Sequence, residues 1–349
     1  MIEESAALTA LRDQRRLLRR RRASTAALIG LLLGSALTAR VLLGDYHITP
    51  ADFVRIIAGE TIPGASFILL ESKLPRAIVA LLAGALLGAA GTLGQSLYRN
   101  PLASPDILGL TGGATTAAVT AIVLARWSGP SVTMAAAAGA LAVAAVLLTV
   151  SGTGPGAATR AVLTGVGIST VLAALVHAVL LRADLHRAHD ALVWITGSTS
   201  RATWSDIAVL AVLAVLTLPS ALALGPAMQS YALGDDLASA LGVRLHLMRS
   251  LCLAVIVVMV AAATAVCGPI AFVALLAGQG AGAMSRRLGR SAPIGTGAAT
   301  GALLVLSADY IAAYSIPGTA LPVGVVTGLV GALFLGALLW RGSTHQERM

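Results

Sequence analysis

The chain alternates between long apolar runs and short polar connections. Ten apolar windows recur along residues 24–341, each about 17–25 residues, the length a helix needs to cross ~30 Å of hydrocarbon. Membrane-spanning β-strands would instead alternate over about ten residues. The pattern therefore predicts an all-α, polytopic membrane protein with about ten transmembrane helices. The predicted spans are 24–43, 76–97, 107–125, 130–150, 158–181, 205–224, 249–266, 269–287, 294–314 and 321–341.

Composition supports this class. The 349 residues are 57% hydrophobic and 11% charged, whereas soluble domains carry about 25% charged residues. No stretch is left for a separate soluble domain. We expect one transmembrane domain, residues 24–341, between a basic N-terminal tail (1–23) and a short C-terminal tail (342–349).

The chain has a net charge of +9, and seven of its 24 Lys and Arg residues lie in the tail before the first span. Basic residues beside a first span usually remain cytoplasmic, and ten spans return the C-terminus to the same side. We predict a cytoplasmic-membrane protein with both termini inside. The charge indicates topology, or contact with anionic membrane lipid, and not a nucleic-acid partner. The tail arginines are Arg12, Arg15, Arg16, Arg19, Arg20, Arg21 and Arg22.

The predicted cytoplasmic loop 225–248 contains a short amphipathic helix. Asp235 and Asp236 suit the positive N-terminal end of a helix. Leu237 and Leu241 share one face at i, i+4, and Gly242 provides a stop. Such a helix either lies on the membrane or docks its apolar face on a partner.

Chemistry that would power transport is absent from the sequence. The only lysine, Lys73, is not in a Gly-rich phosphate loop, so a separate ATPase or an ion gradient must supply energy. His177 and Asp309 are interpreted as interfacial or satisfied core residues, not as a proton relay. His186 and His189 are i, i+3 neighbours, but a solvated loop explains them better than a metal site. We predict no catalytic residues, no cofactor and no metal ligands.

Several motifs together resemble the FecCD-type permeases of type II ABC importers, which take up ferric siderophores, haem or cobalamin. The resemblance covers roughly residues 70–341. It implies the ten-helix permease fold, an ATP-binding cassette ATPase, an extracytoplasmic binding protein and a second permease subunit. The motifs are Leu74-Pro75-Arg76, Arg99-Asn100-Pro101-Leu102-Ala103, Gly234-Asp235-Asp236-Leu237-Ala238, Leu241-Gly242-Val243, Gly268-Pro269-Ile270-Ala271-Phe272-Val273, Ser307-Ala308-Asp309 and Leu321-Pro322-Val323-Gly324.

The resemblance also assigns candidate roles. It implies ATPase coupling for the segment that comprises Gly234, Asp235, Asp236, Leu237, Ala238, Leu241, Gly242 and Val243. Lys73 and Arg76 match a basic pair that docks the binding protein at the outer rim. Pathway or gate roles fall on Gln95, Asn100, Pro101, Gly152, Thr153 and Gly154; for the last three, a flexible turn is an equal alternative.

The second half departs from the family pattern. Ala274, Gly278, Gln279, Gly282, Ala313, Ala320 and Leu333 replace the family's usual residues. The departures favour a heterodimer with a second permease. Ferric siderophore is the first cargo expected from the resemblance, then cobalamin or haem. A gradient-driven carrier and an inactive structural subunit remain as alternatives.

Overall fold

The computed structural model describes residues 2–151, 157–288, 294–316 and 318–346, and that part of the chain is helical without strands. Its elements are α1 (Ile2–Leu42), α2 (Pro50–Ile57), α3 (Ala65–Phe67), a π-helical segment (Ile68–Lys73), α4 (Leu74–Leu97), a 3₁₀ turn (Pro105–Leu108), α5 (Leu110–Val123), α6 (Pro130–Ser151), α7 (Ala157–Leu180), α8 (Leu185–Thr196), α9 (Trp204–Tyr231), α10 (Asp235–Ala240), α11 (Leu245–Cys267), α12 (Val273–Leu288), α13 (Ile294–Tyr314) and α14 (Val323–Gln346).

The predicted all-α membrane architecture is confirmed, and each predicted span overlaps one apolar helix. Among the described residues, seven helices are long and apolar enough to cross a membrane. The other three predicted spans correspond to shorter apolar helices, Leu110–Val123, Val273–Met284 and Val323–Leu338. The second span is longer than predicted, because α3, the π-helical segment and α4 form one stretch, Ala65–Leu97.

Two predicted boundaries are wrong. The loop predicted at 225–248 is reduced to residues 232–244, because α9 continues through Pro219 and Pro226 to Tyr231. Proline is tolerated in transmembrane helices when neighbouring groups satisfy the freed backbone. The eighth predicted span begins at 269, but α12 begins at Val273.

Helix α4 lies at the centre of the bundle and packs most extensively against α13. Two small-xxx-small motifs face each other there, Gly84 and Gly88 on α4 against Gly297 and Gly301 on α13. A methyl group at Gly84 would lie 2.5 Å from the carbonyl oxygen of Gly301. Small residues allow this close backbone approach, through which transmembrane helices gain van der Waals contact.

Long-range contacts define two ends of the bundle. At one end, the C-terminus of α1, the connection after α8 and the last turns of α13 meet around Asp309. At the other end, the turn after α4 meets α10 and the start of α11 around Asp235. We call these the Asp309 end and the Asp235 end.

Candidate functional site

A buried ionic cluster closes the Asp309 end. The fully buried Asp309 carboxylate accepts from Arg40 Nε at 2.5 Å and pairs with Arg76 Nη2 at 2.8 Å. The Thr199 hydroxyl donates to the same carboxylate. Arg40 also donates to the Tyr314 hydroxyl at 3.2 Å and lies over its ring. Asp309 is therefore a satisfied core residue, one of the two interpretations that the sequence allowed, and it joins α13 to α1, α4 and the connection after α8.

Lys73 makes a separate set of structural contacts at the Asp309 end. Its Nζ donates to the carbonyl oxygens of Leu43 and Tyr46, at 2.8 and 2.7 Å. Leu43 immediately follows α1, where helix carbonyls lack partners within the helix and favour a nearby cation. Lys73 thus holds the C-terminal end of α1 against the start of the second span.

The expectation that Lys73 and Arg76 are exposed rim charges is wrong. Lys73 is 5% exposed and the Arg76 side chain 12% exposed, and both are engaged by partners within the chain. A lysine and an arginine that flank a proline look like surface charges in sequence. Here they lie on buried faces, because carbonyl groups and Asp309 lie opposite them. Their predicted contact with a binding protein stays a prediction.

At the Asp235 end, two guanidinium groups clamp one carboxylate. Arg99 Nη2 donates to Asp235 Oδ1 at 2.7 Å, and Arg249 Nη2 donates to Oδ2 at 2.5 Å. Arg99 also stacks 3.9 Å from the centre of the Tyr231 ring. Partial burial alone would raise the pKa of the Asp235 carboxyl. Hydrogen bonds from Arg249 and Arg99 outweigh burial and hold this pKa below its usual range.

The predicted amphipathic helix is present as α10. Within it Ala238 is fully buried, whereas Leu237 and the C-cap residue Leu241 are 57% and 63% exposed. Asp235 and Asp236 occupy its first turn, and the backbone turns at Gly242 with φ of +84°. The two exposed leucines therefore stand on a short helix whose position is fixed by an ion-pair clamp.

The turn after α4 brings together three of the predicted pathway residues. Gln95 Nε2 donates to the carbonyl of Leu275 at 3.1 Å, and Asn100 Oδ1 accepts from the Leu102 amide at 2.9 Å. The Pro101 carbonyl accepts from Gln279 Nε2 at 2.5 Å. Helix α12 is thereby fastened to this turn. The other predicted gate residues, Gly152, Thr153 and Gly154, lie outside the described residues.

Two departures from the family pattern have a packing explanation. A methyl group at Gly278 would lie 2.5 Å from the side-chain amide of Gln95, so this glycine leaves room for that amide. Gln279 supplies the hydrogen bond to Pro101. The second half of the chain is therefore specifically packed at these positions.

Sequence reasoning missed five residues of these two clusters. Arg40 and Arg249 lie inside apolar windows, and a charge inside a span is itself a signal of a partner. Thr199, Tyr231 and Tyr314 carry no comparable signal. Among the described residues, no group of three or more His, Cys, Asp or Glu side chains could hold a metal ion. His186 and His189 are exposed.

Known proteins resemble this chain over most of its length. The ferric enterobactin transport system permease protein FepG of Escherichia coli is 36% identical over 285 residues, covering 81% of this chain and 85% of FepG. The Fe(3+) dicitrate transport system permease protein FecD of the same species is 36% identical, covering 79% and 86%. A probable siderophore transport system permease protein of Bacillus subtilis, YfhA, is 33% identical, covering 89% and 93%.

The fold is also found in a solved structure. A metal-chelate type ABC transporter in an inward-facing conformation superposes with a TM-score of 0.80 at 23% identity, covering 91% of this chain and 99% of that one. The profile of the FecCD transport family matches residues 19–341. This chain therefore belongs to the FecCD transport family.

Proposed function

We propose that the chain is the membrane-spanning permease subunit of an ATP-driven importer for a ferric siderophore or a related iron chelate. A separate ATPase supplies the energy. The observation that carries this proposal is the pair of exposed leucines, Leu237 and Leu241, on a short helix anchored by Asp235. An apolar helix face fixed to a membrane bundle suits a groove on a partner.

The cargo is proposed from the relatives. FepG, FecD and YfhA are named for ferric enterobactin, Fe(3+) dicitrate and siderophore transport. Haem is the second candidate, because the hemin transport system permease protein HmuU of Yersinia pestis is 32% identical over 78% of this chain.

The proposal includes a topology and further partners. The Asp235 end faces the cytoplasm, where the ATPase binds, and both termini lie there. The Asp309 end faces outward and receives the extracytoplasmic binding protein. A second permease subunit completes the pathway, and we favour a heterodimer because this chain departs from the family pattern at Ala313 and Ala320.

Reconstitution tests the function directly. The full chain, its ATPase, its second permease and its binding protein are placed in proteoliposomes with ATP on the Asp235 side. We expect accumulation of ⁵⁵Fe-siderophore that requires ATP and stops with a hydrolysis-deficient ATPase. Ferric dicitrate, hemin and cobalamin are compared as cargo. Uptake by the chain alone under an imposed ion gradient would instead establish the carrier alternative.

A further inference from the structure

The Asp235 clamp, in which Arg99 and Arg249 bind the Asp235 carboxylate, links two segments that the sequence does not show to be neighbours. Arg99 lies in the turn that carries Asn100 and Pro101, and it contacts the start of α10 through the Asp235 carboxylate. It also donates to the Tyr231 carbonyl at 2.6 Å. We propose that Arg99 is a positioning residue through which a movement of α10 moves this turn. This inference rests on the proposed function of α10 as the ATPase-docking helix.

The backbone of Arg99 supports such a role. Its φ is +50°, a left-handed conformation that residues with side chains seldom adopt. Backbone hydrogen bonds from Tyr98 to Gly94 and from Asn100 to Gln95 hold the chain on both sides of it. The helical path ends there, and the guanidinium reaches across to α9 and α10. A displacement of Asp235 would therefore act on the backbone of the turn itself.

The exposure of Arg99 and Asp235 suits a contact that changes during the transport cycle. Arg99 and Asp235 are 41% and 44% exposed. Pairs in such a setting contribute little to folding, so the contact can change without unfolding the bundle. The position of the Arg99 guanidinium is nevertheless well defined, because it contacts a carboxylate, a carbonyl and an aromatic face together.

The turn after α4 is itself hydrogen-bonded to α12. Pro101 is held by Gln279 of α12, and Gln95 contacts Leu275 on the same helix. The path from docking helix to α12 thus runs through Asp235, Arg99 and Pro101. Each step is a hydrogen bond or a peptide bond.

The experiment measures transport per ATP hydrolysed, a ratio that a purely structural defect leaves unchanged. Arg99→Gln removes the charge, and Arg99→Lys keeps the charge but loses the planar fork. Both are assayed in the full reconstituted complex with ⁵⁵Fe-siderophore. We expect Arg99→Gln to bind the ATPase and hydrolyse ATP, while the ratio falls roughly fivefold or more, in the usual range for coupling between sites. Arg99→Lys should fall between Arg99→Gln and the unaltered chain.

Arg244→Gln is the matched control. Arg244 lies in the same connection and is exposed, and its side chain has no hydrogen bond or ion pair among the described residues. It should keep the ratio of the unaltered chain. Equal loss of transport and ATP hydrolysis in Arg99→Gln, or no loss of either, overturns the inference. If Arg99→Gln does not insert, Arg99→Lys decides, and a ratio equal to that of the unaltered chain overturns the inference. Failure of the unaltered complex to use ATP would instead refute the proposed function.

Discussion

Arg40 near the end of the first helix and Asp309 near the end of the thirteenth form a buried ion pair, with Nε 2.5 Å from Oδ2. They are 269 positions apart in the chain. Arg76 pairs with the same carboxylate, so two positive charges share one negative charge. The carboxylate is the common partner, and its loss would leave both guanidinium groups without their shared counter-ion.

We therefore predict that Asp309→Asn strongly destabilises the protein. Removing one member of a buried ion pair costs about 3–5 kcal/mol, because the remaining charge stays buried without compensation. Thermal unfolding of the purified chain in detergent should show a large drop in midpoint.

Asp184→Asn is the control for that experiment. Asp184 pairs with Arg187, but it is 59% exposed, and exposed pairs contribute about 0–1 kcal/mol. A similar small shift for both variants would contradict a dominant role for Asp309. Replacing Arg40 by Met in the Asp309→Asn background should recover part of the lost stability.

The glycine contact between α4 and α13 gives a second prediction. Gly88→Ala would place a methyl group against the carbonyl of Gly297, and forcing atoms into a packed interior costs about 1–3 kcal/mol. The unfolding midpoint of the detergent-purified chain should fall. Gly167→Ala on α7 has no atom within 4 Å of the added methyl, and it should leave the midpoint unchanged.

The docking face gives a third prediction, measured by capture of the ATPase. Leu241→Arg places a charge where we propose an apolar contact, and a buried leucine contributes about 1.5–3 kcal/mol. Capture by the tagged, full-length permease should therefore weaken roughly tenfold or more, with normal membrane insertion. Leu185→Arg changes a leucine on α8 at the Asp309 end that is 88% exposed, and this variant should capture normally. Unchanged capture by Leu241→Arg would refute the docking role.

The pH dependence of the clamp gives a fourth prediction. The lowered pKa of Asp235 means that its contribution is fully present above the unfolded value, about 3.9. The contribution is lost only as the pH falls through the folded value. ATPase capture should thus stay constant between about pH 5 and 8 as far as Asp235 is concerned. Asp235→Asn should weaken capture at every pH in that range; a fall in capture around pH 6 to 7 that Asp235→Asn abolishes would contradict this assignment.

The sequence predicts the helices better than it predicts the long-range contacts of individual side chains. Apolar run length identifies the spans, and the aspartate and leucine positions of 235–241 identify α10, because both signals are local. The partner of Arg99 lies 136 positions away, so no local pattern indicates it. The burial of Lys73 escapes a local pattern for the same reason, since it depends on carbonyl groups 27 and 30 positions earlier.

The second span connects the two ionic clusters. Arg76 near its start joins the Asp309 cluster, and Arg99 just past its end joins the Asp235 clamp. These residues are 23 positions apart, or about 34 Å along a helix, somewhat more than the ~30 Å of the hydrocarbon core. The backbone from Arg76 to Leu97 is one continuous helix, and Arg99 lies two residues beyond its end. A single helix therefore connects the two ionic clusters, and an axial shift at either cluster reaches the other without crossing between helices.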